Sequence, residues 1–116
     1  MQAAKFGERE VVDYLLSLGS SPDDVLIGGA MGNQKQMVDY AISLGVEYWG
    51  LMFGAREAIS GGHLEMADYL LKQASPSVKV LRVILENPNF YPDVPLERQN
   101  EIRQLLLKKI AEKESQ

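Results

Sequence analysis

The 116-residue sequence contains no cysteine, one histidine and one tryptophan. Without cysteine there is no disulfide framework and no thiolate metal site. A lone His63 leaves no histidine-rich ligand set, and a Ser-His-Asp arrangement would need partners that nothing in the sequence singles out. No run approaches the ~18 apolar residues of a membrane span, and residues 1–6 are too short and too broken to form a signal peptide. Lys and Arg number 12 against 16 Asp and Glu, a net charge of -4; the basic footprint of a nucleic-acid binder is missing. Gly28-Gly29-Ala30-Met31-Gly32 is glycine-rich but has neither the G-x-G-x-x-G spacing nor a following Lys-Ser/Thr, so it is no phosphate loop. Together these absences point to a cytoplasmic protein that is not an enzyme, holds no cofactor or metal, and binds neither nucleic acid nor membrane.

What is present is an internal repeat. Three segments align without gaps: Gly7-Glu8-Arg9-Glu10-Val11-Val12-Asp13-Tyr14-Leu15-Leu16-Ser17-Leu18-Gly19, Asn33-Gln34-Lys35-Gln36-Met37-Val38-Asp39-Tyr40-Ala41-Ile42-Ser43-Leu44-Gly45, and Gly62-His63-Leu64-Glu65-Met66-Ala67-Asp68-Tyr69-Leu70-Leu71-Lys72-Gln73-Ala74. Asp-Tyr recurs at spacings of 26 and 29 residues. Apolar positions fall at i, i+3 and i+4, the pattern of a helix buried along one side; Val11, Val12, Leu15, Leu16 and Leu18 form the first such stripe. Gly7, Asn33 and Gly62 read as N-caps, with Glu10, Gln36 and Glu65 three residues on as capping-box partners. Gly19 and Gly45 read as stops; in the third copy Ala74 replaces the glycine and Pro76 ends the helix. Tyr14, Tyr40 and Tyr69 are expected to form a packing ladder with hydroxyls near the rim, and Asp13, Asp39 and Asp68 to lie on a wet face.

Between these segments lie partner helices. Ser21-Pro22-Asp23-Asp24 combines a serine cap, a first-turn proline and acids near the positive end of the helix dipole. Its helix should run to Met31, with Gly28 and Gly29 allowing close approach of a neighbour. The corresponding third stretch, Tyr48 to Ile59, is longer by three residues. A helical pair of this kind cannot bury its stripe alone; stacking on the next pair does so.

Ala3-Ala4-Lys5-Phe6-Gly7 running on to Gly19 resembles the second half of an ankyrin repeat, and Ile59-Ser60-Gly61-Gly62-His63-Leu64-Glu65 is similar to that family's Gly-His-Leu-Glu stretch. The resemblance covers about residues 2–75. The period is shorter than the ~33 residues usual in the family, and the Thr-Pro-Leu-His opening is absent, so short connectors are expected in place of projecting fingers. The resemblance implies an all-α, ankyrin-like helix-turn-helix solenoid, with units at 2–20, 21–46 and 47–75. Beyond it come a degenerate helix (76–87), a loop (88–94) started by the prolines after Asn87, and a C-terminal capping helix (95–113). Asp93 or Val94 would cap that helix, and Ile102, Leu105, Leu106 and Ile110 would form its apolar face.

The function implied is a protein-protein interaction module. The expected binding residues lie on the inner helices and connecting turns: Lys5, Asp23, Asp24, Met31, Tyr48, Trp49, Met52 and Arg56. Trp49 reads equally as an interface anchor or as core filler between repeats. The N-terminal face, with Phe6 weakly covered, is a candidate for self-association. The alternative function is a targeting or scaffold segment of a larger enzyme or effector.

Overall fold

The computed structural model describes residues 1–87 and 94–115. Among them are eight helices and no strand: α1 Gln2–Lys5, α2 Arg9–Ser17, α3 Pro22–Met31, α4 Lys35–Leu44, α5 Tyr48–Ser60, α6 Leu64–Ala74, α7 Val78–Glu86 and α8 Leu96–Glu114. The three aligned segments are therefore α2, α4 and α6, each preceded by a helix of its own. Three or four residues join each consecutive pair from α1 to α7, which leaves no room for a projecting hairpin. The expected loop at 88–94 falls, except for Val94, outside the described residues, as does Asp93.

Two starts follow directly from serine chemistry. Ser21 Oγ accepts the Asp24 N–H at 3.2 Å with Pro22 in the first helical position, and Ser77 Oγ accepts the Val80 N–H at 3.3 Å. Each hydroxyl satisfies one of the donors that a helix start leaves open.

The starts of α2, α4 and α6 differ from expectation. Their caps are Glu8, Gln34 and His63, and no side chain accepts a capping bond there. Gly7, Asn33 and Gly62 instead belong to the preceding helix, at φ of 72°, 55° and 74°. Each donates its N–H three residues back (to Ala4, Ala30 and Ile59 at 3.2, 3.2 and 3.0 Å), and the next residue donates five back (Glu8, Gln34 and His63 to Ala3, Gly29 and Ala58 at 2.8, 2.7 and 2.8 Å). These paired bonds are a Schellman closure. The left-handed residue ends one helix and points the chain into the next, so the turn amides are already satisfied and no capping box is needed. The position selects glycine or asparagine, the residues that tolerate positive φ.

α6 also ends differently. Ser75, not Pro76 alone, closes it: Ser75 takes the left-handed conformation at φ 51°. Its carbonyl and hydroxyl accept from Lys113 Nζ at 3.1 and 2.6 Å, so a residue of α8 braces a positive-φ turn at the place where α2 and α4 are followed by glycine.

Small residues set the packing. α3 lies closely against α1, α4 and α5, and α5 against α6. A Cβ on Gly28 would sit 2.4 Å from the Met1 carbonyl oxygen, and one on Gly54 would sit 2.5 Å from Leu26 Cδ2. The close approach expected at Gly28 is thus present, and Gly54 repeats it on the other side of α3. No comparably close approach joins α2 to α4 or α4 to α6 among the described residues. α3 is drawn to α1 and α5 by missing side chains, while α2, α4 and α6 stand apart and meet through long side chains.

The core runs through Val12, Val25, Leu26, Val38, Ile59, Leu70, Leu71, Leu81 and Ile84 into Ile102 and Leu106 of α8. α8 packs on α7 and α6 with Ile102, Leu106 and Ile110 buried and Leu105 half-buried. Its cap is Pro95, one residue after the expected Val94, which is itself buried. The first apolar stripe is only partly buried: Val12 is covered, Leu15 and Leu16 are half-buried, and Val11 and Leu18 are exposed. Leu18 faces outward by position, since its counterpart Leu44 is exposed too.

Candidate protein-binding surface

α5 carries a cluster of exposed large apolar side chains. Trp49 is 50% exposed and Phe53 47% exposed. They stand one turn apart with ring centroids at 6.4 Å and planes at 83°, the edge-to-face geometry that aromatic quadrupoles favour. Arg56, three residues on, holds its guanidinium 5.9 Å from the Phe53 ring centroid. Positions 49, 53 and 56 are i, i+4 and i+7, one face of a helix. Its opposite side is fixed by Gly50, Gly54, Ala55, Ala58 and Ile59, all buried. The burial of the small residues therefore aims the aromatic ones outward, and Trp49 is surface rather than core filler.

Of the residues expected to bind, Trp49 and Arg56 come together on this face. Tyr48 is exposed beside Trp49, and Met52 is half-buried. Phe53 was not among them. Its signal was available, since it follows Trp49 by four and precedes Arg56 by three. Lys5, Asp24 and Met31 are exposed on α1 and α3.

Asp23 is a correction. It is 6% exposed, and its carboxylate accepts the Glu47 N–H at 2.9 Å. A Cβ on Gly50 would fall 2.0 Å from the same oxygen. Asp23 ties the start of α3 to the start of α5; a buried carboxylate in this position is a structural strut, not a group presented to a partner.

A second ordered feature links the even-numbered helices. Tyr40 Oη donates to Asp13 Oδ1 at 2.5 Å, and Tyr69 Oη donates to Asp39 Oδ1 at 2.5 Å. A cation completes each rung. Arg9 Nε lies 3.3 Å from Asp13 Oδ2, with its guanidinium 3.4 Å from the Tyr40 ring centroid. Lys35 Nζ lies 3.4 Å from Asp39 Oδ2 and 4.4 Å from the Tyr69 ring centroid. The bond to Asp39, reinforced by partial burial and by the carboxylate's charge, raises Tyr69 above the usual 10.0 of a tyrosine. The expected tyrosine ladder thus exists at Tyr40 and Tyr69, and the aspartates on the wet face are its acceptors.

At Asp68 the pattern changes. Leu64 stands where Arg9 and Lys35 stand, and the cation comes from α8: Lys109 Nζ pairs with Asp68. Lys109 is 12% exposed. Its ammonium is a cross-helix anchor. Arg98 Nη1 donates to the Gly62 carbonyl at 2.8 Å, adding a further α8 contact.

Among the described residues, no three His, Cys, Asp or Glu side chains gather as a metal cage, and no helix is long and apolar enough to cross a membrane. His63 is half-buried in the turn before α6. No protein-family model, curated protein or solved structure matches the chain.

Proposed function

We propose that the chain is a protein-binding module, built as a short ankyrin-like stack of helical pairs closed by α8, and that it grips its partner through α5. The observation that carries this reading is the edge-to-face pair of half-exposed rings, Trp49 and Phe53, with the Arg56 guanidinium alongside. Tryptophan, tyrosine and arginine dominate interface hot spots because they combine large apolar area with directional polarity. Two large rings left in water on a helix whose other face is packed to the limit of glycine mark a surface kept for contact. Tyr48 and Met52 border the rings on the same helix. Asp24, Met31 and Lys5, on the neighbouring helices, form the outer part of the proposed surface.

The recurring Schellman turns, the glycine-lined approach of α3 to its neighbours and the tyrosine–aspartate rungs support the stacked reading. Each is a feature of one helical pair found again in the next.

The test is capture of interacting proteins from the native host's lysate on the intact chain, compared with Trp49→Ala and Phe53→Ala. A specific binder lost from both variants, whose helical circular dichroism and melting remain near the parent's, supports the reading. A binder retained by both variants contradicts it.

A further inference from the structure

We infer that the outer face of α1 and α2 is a second docking surface, and that it accepts a helical pair whose second helix carries Arg/Lys-x-x-x-Asp. Exposure along aligned positions carries this. Met37 and Met66 are 5% and 4% exposed, yet their counterpart Val11 is 44% exposed. Ala41 and Leu70 are buried, and their counterpart Leu15 is half-buried. Tyr40 and Tyr69 are half-buried, whereas Tyr14 is 63% exposed. At α4 and α6 these positions are adjoined by a preceding helical pair; at α2 they are open.

The chemistry of the occupant follows from the two filled rungs. In each, the tyrosine hydroxyl donates to an aspartate, and the ring lies under a cation four residues before that aspartate. Tyr14 lacks both among the described residues. A carboxylate for its hydroxyl and a cation for its ring, one helical turn apart, would restore the rung. A second copy of the chain offers no free pair of this kind with aspartate, the acid that both rungs use. Its sequence holds two Arg/Lys-x-x-x-Asp pairs, Arg9 with Asp13 and Lys35 with Asp39, and both are engaged internally; Asp68 is held by Lys109.

The docking geometry is that of α5–α6 on α3–α4, not that of α3–α4 on α1–α2. A Cβ on Gly32 would lie 1.9 Å from the Lys5 carbonyl oxygen, so that step admits only glycine there. A Cβ on Gly61 meets chiefly the His63 ring of its own turn. Phe6 occupies the corresponding place in the first turn, and only the geometry of α5–α6 on α3–α4 leaves room for it.

The test adds that occupant to the whole chain. In the alignment that sets Tyr14 on Tyr69, Gln2 falls on Glu57. Repeating residues 21–56 directly ahead of Gln2 therefore extends α1 in register and brings a second Lys35–Asp39 pair toward Tyr14. The extended chain is expected to unfold in one cooperative transition at higher denaturant. Within it, Tyr14→Phe should raise the unfolding constant about fivefold, the scale of one lost hydrogen bond. The same substitution should be silent in the unextended chain, and in the extended chain once the added aspartate is changed to asparagine. The inference is overturned if Tyr14→Phe acts equally in all three backgrounds, or if hydrogen exchange shows the added segment unprotected while the rest is folded. It is also overturned if the unextended chain sediments as a dimer that Tyr14→Phe or Leu18→Lys dissociates. None of these outcomes involves Trp49 or Phe53, so the result is independent of the α5 reading.

Discussion

The Tyr69 hydroxyl meets the Asp39 carboxylate at 2.5 Å, thirty residues away along the chain, while Lys35 lies over the ring and beside the acid. The same three groups recur one step earlier as Tyr40, Asp13 and Arg9. Because α2, α4 and α6 do not approach one another closely, these rungs are the polar part of what holds their spacing. Tyr69→Phe and Asp39→Asn, combined in a double-mutant cycle, should show a coupling of about 0.5–1 kcal/mol, small because both groups are partly wet. Additive effects in chemical denaturation would remove the rung from the account.

The same bond makes stability depend on alkaline pH. Folding favours the protonated phenol of Tyr69, whose titration is raised first by donation to Asp39, then by burial and the carboxylate's charge. A raised value means that the bond's contribution is fully present below the ordinary tyrosine value of 10.0 and is lost as pH climbs through the higher folded value. Phenolate absorbance should therefore show one tyrosine titrating late, and Tyr69→Phe should delete that late component. Its persistence in the variant would assign the shift to another residue.

Asp23 and Gly50 form a joint that should behave as structure and not as binding surface. Asp23→Ala leaves the Glu47 N–H without its acceptor, and a destabilisation of about 1–2 kcal/mol is expected. Gly50→Ala drives a methyl into the carboxylate and should cost about 1–3 kcal/mol. Both losses should appear in thermal or denaturant melts, with partner capture unchanged at temperatures where the chain is folded. Loss of capture without loss of stability would return Asp23 to the binding surface.

Lys109 anchors α8 to α6 through Asp68. The side chain is largely buried while its partner is 44% exposed, so Lys109→Met keeps the packed stem and removes only the pair. A destabilisation of about 1 kcal/mol is expected, between the values of surface and buried pairs. Faster amide exchange should appear first in α8. Lys109→Ala should cost more, and equal effects of the two changes would mean that the stem and not the charge does the anchoring.

Much of this architecture was legible in the sequence. The apolar period located the helices, Ser21-Pro22 marked the start of α3, and the recurring Asp-Tyr marked equivalent positions on α2, α4 and α6. The turns were misread at Gly7, Asn33 and Gly62, because a glycine or asparagine between two helices suits the end of one as well as the start of the next; only the hydrogen bonds of Glu8, Gln34 and His63 to the earlier helix decide it. Burial of Asp23 was hidden because an acid in a first helical turn reads as a dipole partner, while its true partner, the Glu47 amide, lies 24 residues on. On α5 the sequence located Trp49 and Arg56. Phe53 became evident once buried Gly50 and Gly54 showed which side of the helix faces inward.

The most direct measurement of the central claim is hydrogen exchange of the intact chain, alone and saturated with the protein it captures. The account predicts new protection concentrated in Tyr48–Ser60 of α5, with Trp49 fluorescence shifting to shorter wavelength as the ring leaves water. Protection confined to other helices, with α5 exchange and Trp49 emission unchanged, would contradict it.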